Sequence, residues 1–86
     1  MLRTLTVMNR DRNYTADIQV NPHQRIEETL EILSNAGKLP EGLWCSSTKI
    51  RSLRRKLFIP VEETYEQANI HTGDILELIT DRLGEK

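Results

Sequence analysis

The chain has 86 residues, 37% hydrophobic and 29% charged, with 12 Lys and Arg against 13 Asp and Glu for a net charge of -1. One ordinary globular domain with one small core fits this composition, and so small a core leaves few aliphatic side chains to wall a deep catalytic cavity. The near-neutral balance excludes whole-molecule attraction to nucleic acid or anionic membrane.

A lone cysteine, Cys45, cannot form an internal disulfide. The opening "MLRTLTVMN" is too short and too broken for a signal sequence or a membrane span. Both features lead us to expect a cytoplasmic protein.

In chain order, "TLTVMN", "DRN" and "YTADIQV" predict two strands joined by a polar turn. Tyr14, Ala16, Ile18 and Val20 share one face of the second strand, with Thr15, Asp17 and Gln19 on the other. Leu5 and Val7 match them on the first strand, and Arg3 at the same parity suggests that this face reaches solvent near the N-terminus.

"NPHQRIEETLEILSNAGK" switches to helical period. Asn21 is the expected N-cap, Pro22 suits the first helical position, and Gln24 can fold back in a capping box. Glu27 and Glu28 suit the positive end of the helix dipole, and Gly37 can adopt the left-handed conformation that ends the helix. Ile26, Leu30 and Leu33, flanked by Thr29 and Ala36, form the buried stripe; Glu27, Glu28, Glu31 and Asn35 lie opposite.

Residues 38–47 read as a loop in which Trp44 tucks its ring onto the domain edge. "TKIRSLRRKLFIPVEE" predicts two short strands meeting near Arg54 to Lys56. Ile50 and Leu53 are three apart, which implies a bulge or a register break. "ETYEQANI" predicts a turn of helix or 3₁₀, and "HTGD" a glycine-requiring turn into "ILELI". In that last strand Leu76 and Leu78 point one way, Ile75, Glu77 and Ile79 the other.

A hairpin at each end and one covering helix oblige the first and last strands to pair in parallel at the centre. The expected class is therefore α+β: a ubiquitin-like β-grasp with a mixed sheet of four to five strands under one main helix, residues 1–79, and a short tail, residues 80–86. "TYEQANIHTGDILELI" resembles the ending of ubiquitin, with Thr64, Asn69, Ile70, Leu76 and Leu78 at matching steps. Tyr65 stands where ubiquitin buries a leucine, and Ala68 where it has a tyrosine.

Within that superfamily the chain resembles the YukD/EsaB group of bacterial type VII secretion. The similarity rests on the short opening strand pair, the Asn-Pro start of the helix, "KIRSLRRKLF", and the ending formed by Ile70, Gly73, Asp74, Leu76 and Leu78. The resemblance implies a cytosolic accessory or regulatory protein of a secretion machine, acting by protein contact and lacking a conjugation tail.

Catalytic chemistry finds no support in the residues. Cys45 has no histidine near it, since His23 opens the helix and His71 lies in the last turn; a half-buried cysteine and two solvated histidines are expected. One cysteine and two separated histidines lack the number and spacing of a zinc site, so neither metal nor cofactor is expected. Glu27/Glu28 and Glu62/Glu63 are adjacent surface residues, not carboxylates facing across a cleft. The alternative function, a processed modifier or sulfur carrier, needs a terminal Gly-Gly, whereas the chain reads "DRLGEK" with Gly84 alone. A free-standing β-grasp adaptor in another pathway is a further alternative.

The candidate partner-binding residues are Arg51, Arg54, Arg55 and Lys56, expected to project from the second hairpin, and Ile79, which resembles the outward valine of ubiquitin's binding patch. The basic run is either a patch for an acidic partner protein or a solvated turn guarding a sheet edge. Aromatic residues for nucleic-acid stacking are lacking, with only Phe58 near. Reversing Arg51, Arg54 and Arg55 together is expected to leave the fold intact.

Overall fold

Alternating apolar and polar residues form β1 (Arg3–Asn9) and β2 (Thr15–Val20) in the computed structural model of the chain. The two pair antiparallel, with Leu5 opposite Ile18 and Val7 opposite Ala16. The structure describes residues 1–10, 14–40, 42–45 and 47–80; the turn at 11–13 and all of the tail after Thr80 lie outside them. β3 (Lys49–Ser52), β4 (Leu57–Ile59) and β5 (Ile75–Ile79) complete a sheet of order β2-β1-β5-β3-β4. β1 and β5 pair in parallel at its centre, Val7 against Leu76. With α1 (Ile26–Asn35), the one α-helix among the described residues, this is the expected α+β β-grasp.

Leu5, Val7, Ile50, Leu76 and Leu78 join Ile26 and Leu30 of α1 in one core, each no more than 2% exposed. Leu39 and Leu43 are also buried, so the loop after the helix contributes to the core beyond Trp44. The sequence pattern does not announce them, because loop residues carry no period.

α1 starts later than its sequence signals suggest. Asn21 closes a separate turn instead, its Oδ1 accepting from the His23 N–H and its carbonyl from the Gln24 N–H. Arg25 is extended and forms an isolated bridge with Thr64, which keeps residues 21–25 out of the helix. Arg25 supplies no side-chain cap; the first free amides, Ile26 and Glu27, donate to the carbonyls of Glu63 and Val61 at 3.0 Å each. Tertiary acceptors thus do what a cap residue would do. At the other end Gly37, with φ of 75°, donates to Ser34 while Lys38 donates to Leu33, the Schellman arrangement.

The capping box occurs elsewhere. The Thr64 amide donates to Gln67 Oε1 and the Gln67 amide to Thr64 Oγ1, both at 3.0 Å. That pairing winds residues 64–70 into one turn, which closes with Asn69 at φ of 60° and Ile70 donating to the Tyr65 carbonyl. The predicted break between Ile50 and Leu53 is a strand end: β3 stops at Ser52, which is buried, and Leu53 enters the hairpin turn.

Tyr65 is fully buried, and its hydroxyl has no hydrogen-bond partner among the described residues. Burial pushes the phenol up to about 12, against a weak opposing pull from the nearby Thr29 hydroxyl, which itself donates to Gln24. Tyr65→Phe is therefore expected to raise stability by about 1 kcal/mol, because it removes an unsatisfied buried group. A lower melting temperature in the variant would refute this. Leu30→Ala, at the centre of the covering stripe, should instead cost roughly 2–5 kcal/mol in denaturant unfolding; a midpoint unchanged from the parent would show that Leu30 does not hold the core.

Candidate functional site

In the basic run Arg54, Arg55 and Lys56 are exposed and Arg51 is half-buried, and the three arginines each have a partner. Arg51 lies on the outer sheet face opposite Glu77, with Nη1 3.8 Å from Oε1. Arg54 turns toward the start of β5, where its Nη2 donates to Asp74 Oδ2 at 3.0 Å and its Nε to Oδ1. Arg55 Nη1 donates to the Ala68 carbonyl at 2.7 Å. Arg54 and Arg55 therefore strap the β3–β4 hairpin to the connector before β5 while remaining exposed, and a triple reversal would break these contacts. Lys56, at φ of 59°, heads the turn and remains exposed.

Asp74 is the anchor of that strap. Burial acts to raise its carboxyl, but the Arg54 hydrogen bonds, the His71 amide at 2.9 Å and the Arg54 charge outweigh it and hold the group below its ordinary value. The same residue explains part of the ending motif: Asp74 closes the "HTGD" turn on the His71 carbonyl while Gly73, at φ of 97°, donates to Thr4 of β1.

Ile79 does face outward, opposite Lys49, but only 9% of it is exposed. The expectation of an exposed apolar patch residue there is thus corrected. Glu77 beside it on the same face is also buried, under Arg51. The middle of the outer face accordingly carries an ion pair, where a valine-like patch was expected.

Exposed apolar side chains occur elsewhere. Apart from Met1 and Leu2, the large hydrophobics in solvent among the described residues are Ile32 at 56%, Leu57 at 40% and Phe58 at 57%. Leu57 and Phe58 follow Lys56 on the edge strand β4. "KLF" was readable as a strand, but whether its side chains face core or water depends on an edge position that only the fold assigns.

Ile32 borders a shallow cleft of about 770 Å³ beside α1, with Glu27, Glu28, Glu31, Trp44 and Cys45 along it. Trp44 packs on the core edge, as expected, and donates its Nε1–H to Glu31 at 3.1 Å. Cys45 is half-buried, and both histidines are exposed. The hydroxyl of Ser47 first, then those of Thr48 and Thr80 and the Ser47 backbone, lower the thiol to about 6, against a slight rise from burial. Thr48 donates its proton to the Leu43 carbonyl, so it meets the thiol as an acceptor. No histidine or carboxylate is within hydrogen-bonding reach of Sγ among the described residues, and the constellation lacks a general base.

No family model and no curated protein matches the sequence. Solved structures match in fold. A protein designed on the basis of ubiquitin is 22% identical, with 99% of this chain and 95% of that one covered at a TM-score of 0.69. The ubiquitin of Caldiarchaeum subterraneum is 17% identical over 93% of this chain and 94% of its own, also at 0.69. A chain of the toluene 4-monooxygenase HD complex with the inhibitor 4-bromobenzoate reaches 0.69 at 7% identity, covering 93% of this chain and 99% of that one. The protein is thus a ubiquitin-like β-grasp, and identities this low speak to fold alone.

The Arg54–Asp74 strap makes a prediction about pH. A carboxyl depressed below its ordinary 3.8 stabilises the fold above that value and ceases to do so as pH falls through its folded value. Arg54→Glu is expected to lower the melting temperature at neutral pH, with the deficit narrowing in acid once the facing carboxylates protonate. Lys56→Glu, at the exposed turn, should melt with the parent. Equal melting temperatures for all three proteins at neutral pH would assign Arg54 to the free surface.

Proposed function

We propose that the protein is a non-enzymatic ubiquitin-like component of a bacterial type VII secretion system that works in the cytosol by docking onto another protein of the machine. The observation that carries this reading is the edge strand β4 next to Lys56, where Phe58 on the outer face opposite Arg51 and Leu57 on the other face are both left in solvent. Apolar side chains left in solvent beside a cation give a docking face an apolar centre and a steering charge. The ubiquitin-like fold supports a role by contact, and the resemblance of residues 49–58 and 70–78 to the YukD/EsaB group supplies the secretion context. Arg54, Arg55 and Asp74 hold the docking face in position; Lys56, Leu57 and Phe58 meet the partner.

The test is genetic. Deleting the gene in its own organism should change the amount of small helical-hairpin substrate exported, as read by immunoblot of the medium. The unaltered gene should restore the parental amount, and Leu57→Ser/Phe58→Thr should reproduce the deletion while keeping the parental circular dichroism spectrum. Export unaffected by deletion would remove the secretion role. Export restored in full by the double variant would remove the docking face. An isopeptide-linked or thiocarboxylate species in the intact mass of the purified protein would replace contact with covalent transfer.

A further inference from the structure

Two surfaces of this chain complement each other, and we infer that the β3–β4 hairpin of one copy docks into the cleft beside α1 of a second copy. Beyond the first two residues, the large apolar side chains left in solvent among the described residues fall in just these places: Ile32 on the cleft, Leu57 and Phe58 on the hairpin. Trp44 adds an indole to the cleft, suited to an apolar side chain or a cation.

Charge agrees with shape. Glu27, Glu28 and Glu31 border the cleft, and no lysine or arginine lines it among the described residues. Glu27 and Glu28 meet Arg25 at 3.6 and 3.4 Å, but Arg25 is 54% exposed, and such pairs hold weakly in water. The hairpin presents Lys56 at its tip, with Arg55 beside it still charged while it donates to a carbonyl. Within one molecule the carboxylates meet Arg25 and Trp44, leaving Lys56 for a neighbour.

The contact joins a hairpin on one copy to a cleft on the next, so it closes into a reciprocal dimer or a ring where the rotation between copies allows and extends to further copies where it does not. A hairpin tip buries much less than the roughly 1,000 Å² of a stable interface. The association is accordingly weak, reversible and sensitive to salt. It stands independently of any secretion role.

Sedimentation velocity of the full chain tests it, at concentrations up to about 1 mM and at roughly 0.02 and 0.3 M salt, between which the Debye length shortens several-fold. The weight-average mass should rise above that of the monomer at low salt and fall back toward it at high salt. Lys56→Glu and Glu31→Lys should each stay monomeric with the parental circular dichroism spectrum. An equal mixture of the two should associate again, because each variant keeps the surface that the other lacks. Lys56→Glu alone decides the matter should Glu31→Lys misfold. A monomer at every concentration, an association indifferent to salt, or variants that associate like the parent would each overturn the proposal.

Discussion

The amides that open α1 have no partner inside the helix, and the chain meets that need with the connector between β4 and β5. Carbonyls of Val61 and Glu63 take the amides of Glu27 and Ile26, while the Glu66 amide returns to the Pro22 carbonyl. From the same connector Ile70 offers its carbonyl to Arg3 at 2.9 Å and Ala68 to Arg55. Helix, β1 and the second hairpin are thereby joined through one stretch of irregular backbone. An 86-residue chain has little apolar area to stabilise it, so paired backbone at this junction matters more than it would in a larger domain. Tyr65 lies at the centre of the connector and is fully buried.

This arrangement changes the meaning of the charges. A cluster of arginines in a hairpin suggests an electrostatic surface when read from sequence, yet three of the four cations in residues 51–56 have partners of their own: Glu77, Asp74 and the Ala68 carbonyl. Guanidinium groups suit such straps because their planar donors can reach a carboxylate and a carbonyl at once. Arg54 does this with Asp74 and Asn69. Arg54 and Arg55 stay exposed while so held, and Lys56, Leu57 and Phe58 stand in solvent beside them. The fold is shared by proteins of very different activity, so function has to be argued from that surface and not from the architecture.

Strands, their inward faces, the central parallel pair and the glycine turns at Gly37 and Gly73 were legible in the sequence, because period and turn chemistry are local properties of the chain. Topology followed from them, since few arrangements bury those faces with one helix. Where α1 begins was not decided locally: Asn21, Pro22 and Gln24 carry good start signals, but the bridge from Arg25 to Thr64 lies 39 positions along the chain and overrides them. The partners of Arg51, Arg54 and Arg55, the burial of Ile79 and Glu77, and the exposure of Leu57 and Phe58 likewise depended on which strand lies at an edge and which at the centre. Residue type and spacing determine what an element is; the tertiary structure alone decides what each side chain meets, because those neighbours come from distant parts of the chain and leave no periodic mark in it.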